Sequence, residues 1–150
     1  MGDLDNDGRV DLLLVAQGEP LVYLHNRSAA GHSLTLHLEG TASNRDAVGA
    51  RVTVTACGHR QQAWRIGGGS YQSAGDPRIH FGLGPSRRVE LVEVHWPSGR
   101  VDRYRDLKVD ASFLLREGQS QPECIRNHQP TQGSVAQSER NRFNSPGNAR

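Results

Sequence analysis

Aromatic residues are scarce in this chain: three Phe, three Tyr and two Trp make up 5 % of 150 residues. Hydrophobic residues without Gly reach 35 %, against roughly 45–50 % apolar residues with Gly included in ordinary globular chains. Part of the gap is filled by 17 Gly and 7 Pro, which favours a turn-rich protein over a helix bundle. No apolar run approaches the ~20 residues of a membrane span; the longest runs from Leu12 to Ala16. No basic start followed by an apolar core is visible, so no secretory signal is read. Neither sign of charge prevails, with 18 Lys and Arg against 16 Asp and Glu. Scattered bases and a net charge of +2 argue against a nucleic-acid-binding chain. Two cysteines, Cys57 and Cys124, are too few for a disulfide-stapled scaffold and allow at most one bridge. Cys57 and His59 lack a second Cys/His pair at zinc-finger spacing.

What is present falls into three segments. Residues 1–27 hold an acidic loop and two strand-like runs, Val10–Ala16 and Leu21–His25, around Gln17-Gly18-Glu19-Pro20. Residues 28–117 alternate apolar and polar positions with period two, as in Leu34/Leu36/Leu38, Val52/Val54 and Ile79/Phe81/Leu83. Residues 118–150 are rich in Gln, Ser, Asn and Pro and read as a disordered tail, because they bury too little apolar surface to offset ordering entropy. About nine short strands at close spacing, with no helix-period stretch, predict an all-β fold. The expected form is a β-sandwich or a partly closed barrel.

The acidic start concentrates charge. Residues 1–26 carry Asp3, Asp5, Asp7, Asp11 and Glu19 against Arg9 alone, a net of −4. In Asp3-Leu4-Asp5-Asn6-Asp7-Gly8-Arg9-Val10-Asp11, side-chain oxygens fall at loop positions 1, 3, 5 and 9. Gly8 permits the sharp turn at position 6, and Arg9 can offer its backbone carbonyl at position 7. Hard oxygen donors at this spacing suit Ca²⁺, which takes six to eight of them. Asp3, Asp5, Asp7, Arg9 and Asp11 are therefore the expected metal ligands. The loop is not a complete EF-hand, since Leu14 stands where the bidentate Glu belongs and a strand-like run follows. The competing reading is a solvated acidic turn held by Asx bonds without metal.

Gly2-Asp3-Leu4-Asp5-Asn6-Asp7-Gly8-Arg9-Val10-Asp11-Leu12 resembles the calcium loop of FG-GAP/VCBS repeats, the units of integrin-type β-propellers. A single copy is present, and a propeller needs several blades to close. The resemblance thus implies the end of an array whose N-terminal blades are missing from this chain. Four further stretches of the middle segment resemble the ASPIC/UnbV domain in order. They are Asn44-Arg45-Asp46-Ala47-Val48-Gly49-Ala50-Arg51-Val52, Gly67-Gly68-Gly69-Ser70-Tyr71-Gln72-Ser73, His80-Phe81-Gly82-Leu83-Gly84, and Val94-His95-Trp96-Pro97-Ser98-Gly99. That resemblance covers roughly 28–117. It implies an extracellular or cell-surface, calcium-containing, propeller-associated β module.

The remaining motifs are weaker. Gly67-Gly68-Gly69-Ser70 lacks the Lys and helix of a P-loop, and its glycines are expected to serve a positive φ, a tight crossover or a close backbone approach. Tyr71 is expected to anchor that loop by burying its ring, and the loop to form the ligand-facing surface. Ser70, Asp76 and His80 can be assembled into a hydrolase triad on paper, but a triad is recognised by geometry. Trp96 is expected to cover the core, with sugar stacking alongside Tyr71 as the sharper alternative. Asp46 is a second-ligand candidate, while His25, His32, His37, His59 and His95 show no ligand spacing. The expected function is a non-enzymatic calcium-binding adhesion or binding module with a protein or carbohydrate ligand, no nucleic acid and no membrane span. The alternatives are a hydrolase or carbohydrate-active domain using the Gly67–His80 loop, and a purely structural propeller cap.

Overall fold

The computed structural model describes residues 1–29, 31–69, 71 and 73–128. Among them are ten strands and no helix: β1 (Leu12–Leu14), β2 (Val22–Leu24), β3 (His32–Glu39), β4 (Arg51–Ala56), β5 (His59–Trp64), β6 (Ile79–Gly84), β7 (Val89–His95), β8 (Val101–Leu107), β9 (Ala111–Arg116) and β10 (Glu123–Asn127). β1 and β2 form a separate hairpin, and the others form two four-stranded sheets, β10-β9-β3-β6 and β5-β4-β7-β8. Pairing is antiparallel except between β3 and β9, which run parallel with Leu36 opposite Phe113. The all-β expectation holds, and the form is a sandwich without barrel closure.

The period-two pattern explains the packing. Successive side chains of a strand point to opposite faces, so alternate residues of both sheets enter one core. Leu34, Leu36 and Leu38 of β3 meet Val52 and Val54 of β4, Val92 and Val94 of β7, and Leu115 of β9, all buried in a single cluster. Truncating one such leucine to alanine typically costs about 2–5 kcal/mol. Turn chemistry agrees with the strands. Cys57 (φ 47°) and Gly58 (φ 73°) join β4 to β5 as a two-residue loop with both φ values positive, which matches the twist of the hairpin. After β7, Trp96 and Arg100 bond across Pro97-Ser98-Gly99, with Gly99 at φ 90°. Trp96 is buried as expected, its indole N–H donating to Asp102 at 2.8 Å.

Two expectations need correction. β10 lies inside the segment read as disordered from 118: it pairs with β9, and His128 beyond it is buried. A strand of mostly polar residues with no apolar alternation leaves no period-two signal, and an open sheet edge recruited it. The rest of that segment, 129–150, lies outside the described residues. Tyr71 does not bury its ring but is 88 % exposed. Gly68 (φ 81°) and Gly69 (φ 115°) are explained by left-handed backbone, with no atom of the described residues near enough to forbid a Cβ. Cys57 and Cys124 are both exposed and free.

The outward faces of the two sheets differ. On β10-β9-β3-β6 the outward residues Thr35 and Ser112 are buried: His80 contacts the first and His128 the second, and Gly8 of the acidic loop sits against His128 and Ser33. On β5-β4-β7-β8 the pairing sets three outward rows: Trp64, Arg51, His95 and Val101; Gln62, Thr53, Glu93 and Arg103; Arg60, Thr55, Leu91 and Arg105.

Candidate metal centre

The loop before β1 is closed at its base by paired backbone bonds between Gly2 and Asp11, at 3.2 and 2.8 Å. Asn6 (φ 61°) and Gly8 (φ 88°) turn the chain back on itself. The carboxylates hold this shape by accepting backbone N–H groups. Asp3 accepts from Asp7 and Gly8, at 3.0 Å each, and Asp5 accepts from Asp7 at 3.2 Å. Asp11 accepts from Leu4 at 3.1 Å and from Asn26 at 2.8 Å. It also takes the Tyr23 hydroxyl at 3.1 Å. Desolvation, and then that bond to Asp11, push the Tyr23 hydroxyl up to about 12.

Asp3 and Asp11 are 2 % and 1 % exposed, although carboxylates are almost never fully buried unless paired. With Asp5 they bring one carboxylate oxygen each to within 4.8 Å of one another. Asp7 joins a second group, with Asp5 and His25, and its carboxylate also receives the Arg9 guanidinium. His25 stacks on Tyr23, ring centroids 5.8 Å apart, and its Nε2 lies 2.8 Å from Asp5. Sequence spacing could not find His25: it reaches the loop because β2 pairs with β1, placing Leu24 opposite Leu12. Asp46 is exposed and joins neither group.

The donor set fits a hard divalent cation. Two unit charges 4 Å apart repel by about 1 kcal/mol in water and about 4 kcal/mol at an effective dielectric of 20, so three converging carboxylates are best relieved by a cation. Asp3, Asp5 and Asp11 would hold Ca²⁺ with carboxylate oxygens, and Asp7 and the Arg9 carbonyl are the remaining candidates.

The loop is fastened to the sandwich by Arg78, just before β6. Its guanidinium donates to the Asp3 carbonyl at 2.6 Å and to the Asn6 side chain at 2.7 Å. Its Nε also lies 2.9 Å from both oxygens of Asp76. The Asp76 amide donates to the Met1 carbonyl at 2.9 Å, and its carboxylate accepts from the Asp3 amide at 3.3 Å. Burial alone would raise the Asp76 carboxyl, but bonds from Arg78 outweigh it and hold the group well below the usual carboxylate range. Gly8 is needed twice over. Besides its positive φ, a Cβ there would lie 2.5 Å from His128 Nδ1 and 2.6 Å from Ser33 Oγ.

Of the paper triad, Ser70 lies outside the described residues, while Asp76 and His80 do meet, at 3.3 Å. The other ring nitrogen of His80 contacts Thr35 Oγ1 at 3.2 Å. Thr35 is 1 % exposed, so this Asp–His–Thr chain ends on a hydroxyl that a substrate cannot reach.

At the opposite end of β3, Glu117 forms a second buried carboxylate site. It accepts the backbone N–H groups of Thr41, Ala42 and Ser43 at 2.7–2.8 Å, with hydroxyls from Ser43 and Ser98. These bonds pin the loop of Thr41 to Ser43 to the end of β9.

A protein-family model described as ASPIC and UnbV matches residues 40–122, more than half of the chain. No curated protein matches it.

Proposed function

The chain belongs to the ASPIC and UnbV family, a domain found in propeller-associated surface proteins, and on that premise we propose a calcium-stabilised, non-enzymatic binding module. The carrying observation is the convergence of Asp3, Asp5 and Asp11 in a loop that Arg78 ties to the sandwich. A bound Ca²⁺ neutralises the converging carboxylates and cross-links the loop. The chain's own residues do the rest: Arg78 and Asp76 transmit that rigidity to β6, and Tyr23 and Asn26 bind Asp11 to the hairpin.

The hairpin supports the propeller part of the reading. Leu13, Leu14, Val22, Tyr23 and Leu24 are all 42–46 % exposed, and a two-stranded hairpin is at best marginally stable by itself. Apolar residues on both faces and two open edges suit addition to further strands of an FG-GAP-type blade. Such an assembly belongs outside the cell or on its surface.

Titration calorimetry tests the metal assignment. Extracellular-type calcium sites bind at about 10⁻⁴–10⁻³ M, so 10 mM Ca²⁺ should stabilise the protein by about 1.4–2.7 kcal/mol through mass action. Asp5→Ala should abolish both the heat and the thermal shift. Equal calcium uptake by that variant would remove the site. Turnover of ester or glycoside substrates that disappears in His80→Ala, with the fold retained, would favour the hydrolase alternative.

A further inference from the structure

The open face of β5-β4-β7-β8 carries a charge pattern that the metal loop does not explain. Its three outward rows present Arg51, Arg60, Arg103 and Arg105 against one acid, Glu93. Glu93 sits among them, accepting from Arg103 at 2.8 Å with Arg60 3.8 Å away. These three rows are thus net +3, and Glu90, exposed on β7 outside them, still leaves the balance positive. Asp106, at the β8 end, adds no free acid because Arg88 binds it. Arg60 and Arg105 end one row, three strand spacings or about 14 Å apart. At a corner of the face stands Trp64, 57 % exposed, with the Arg51 guanidinium 5.8 Å from its ring centroid. The other tryptophan, Trp96, is in the core.

We infer that this face binds an acidic polysaccharide, its carboxylate or sulfate groups held by the arginines and one sugar ring stacked on Trp64. Four arginines and no lysine suit planar oxyanions, because guanidinium forks match them bidentately. The surface is a sheet face rather than a closed pocket, which suits a linear polymer lying across the strands. Charge complementarity selects an anionic partner. Trp64 is the exposed Trp or Tyr of these rows, and one such ring favours sugar over single-stranded nucleic acid, whose binders stack successive bases on several rings. An apolar protein partner is disfavoured because charged side chains occupy the middle of the face, where protein interfaces are depleted of them. This surface is separate from the acidic loop, which lies on the other sheet, and does not depend on calcium.

Heparin is the probe, with neutral dextran and a single-stranded oligothymidylate as comparisons, measured on the full chain by tryptophan fluorescence and by retention on immobilised heparin. Heparin should bind at 50 mM salt, weaken as salt screens the charges, and persist with a calcium chelator present; dextran should not bind. Arg60→Ser with Arg105→Ser should weaken binding at least tenfold, and Trp64→Leu several-fold with loss of the fluorescence change. Arg126→Ser, on the other sheet, should leave both intact. Each variant should melt as the parent does, since the replaced side chains are exposed. The proposal is overturned if heparin fails to bind, if Arg126→Ser weakens binding as much as the double variant, or if chelator abolishes it. Tighter, Trp64-dependent binding of the oligothymidylate would assign the face to nucleic acid instead.

Discussion

Glu117 shows how much one carboxylate can organise. Burial pushes its acidity toward the neutral form, but hydrogen bonds from Ser98, Ser43 and Thr41 outweigh that and hold the carboxyl at about 2. A folded-state value below the unfolded one means the stabilisation is present above the ordinary carboxylate range and is lost as pH falls toward 2. Glu117→Gln should cost about 1–3 kcal/mol, the usual penalty for leaving buried donors poorly matched. It should also flatten the acid limb of a stability profile followed by urea unfolding between pH 5 and 2. Neither this residue nor Arg78 was legible in the sequence. The loops they hold, Thr41 to Ser43 and Asp3 with Asn6, lie 74–76 and 72–75 residues away along the chain, and nothing local announces a contact made by topology. The aspartates of the first loop were legible because their spacing is covalent. Asp3, Asp5 and Asp11 do converge, while Asp7 turns to Arg9 and His25 enters from another strand.

Among the elements, the acidic loop and the sandwich form a coupled pair. Arg78→Met removes the donors to Asp3 and Asn6 without opening the core. Charged hydrogen bonds of this kind contribute about 1.5–3 kcal/mol. Hydrogen exchange at the Asp7 and Gly8 amides should therefore accelerate by roughly tenfold to a hundredfold, while amides in β3 and β4 keep their protection. Equal loss in both places would mean that the loop is part of the global unfolding unit. Strands with apolar alternation, such as β3, β4 and β6, were readable to within a residue or two. β10 was not, since Glu123-Cys124-Ile125-Arg126-Asn127 has no face to bury and is exposed throughout; it exists because β9 offers an edge. The glycine run after β5 takes left-handed backbone at Gly68 and Gly69, one of the reasons its composition offers, whereas the ring expected to bury itself beside it, Tyr71, is exposed.

For the whole molecule, composition and period two were enough for an all-β sandwich, because alternation must match a two-layer core whatever the strand order. The order itself was not readable: β3 sits between β9 and β6, and the sequence separates it from both. The family match starts at residue 40, whereas β3 ends at Glu39. A fragment cut to residues 40–122 would therefore lose Leu34, Leu36 and Leu38 and leave β9 and β6 facing each other across an empty lane. Such a fragment should be insoluble or molten, and the gap it carries is a slot with a parallel lip on one side and an antiparallel lip on the other. A synthetic peptide of residues 31–39, supplied during refolding, has one register that fills both lips and the core at once. Recovery of a sharp thermal transition with the peptide, and none with its Leu36→Asp version, would make this domain a split protein that reassembles from two pieces.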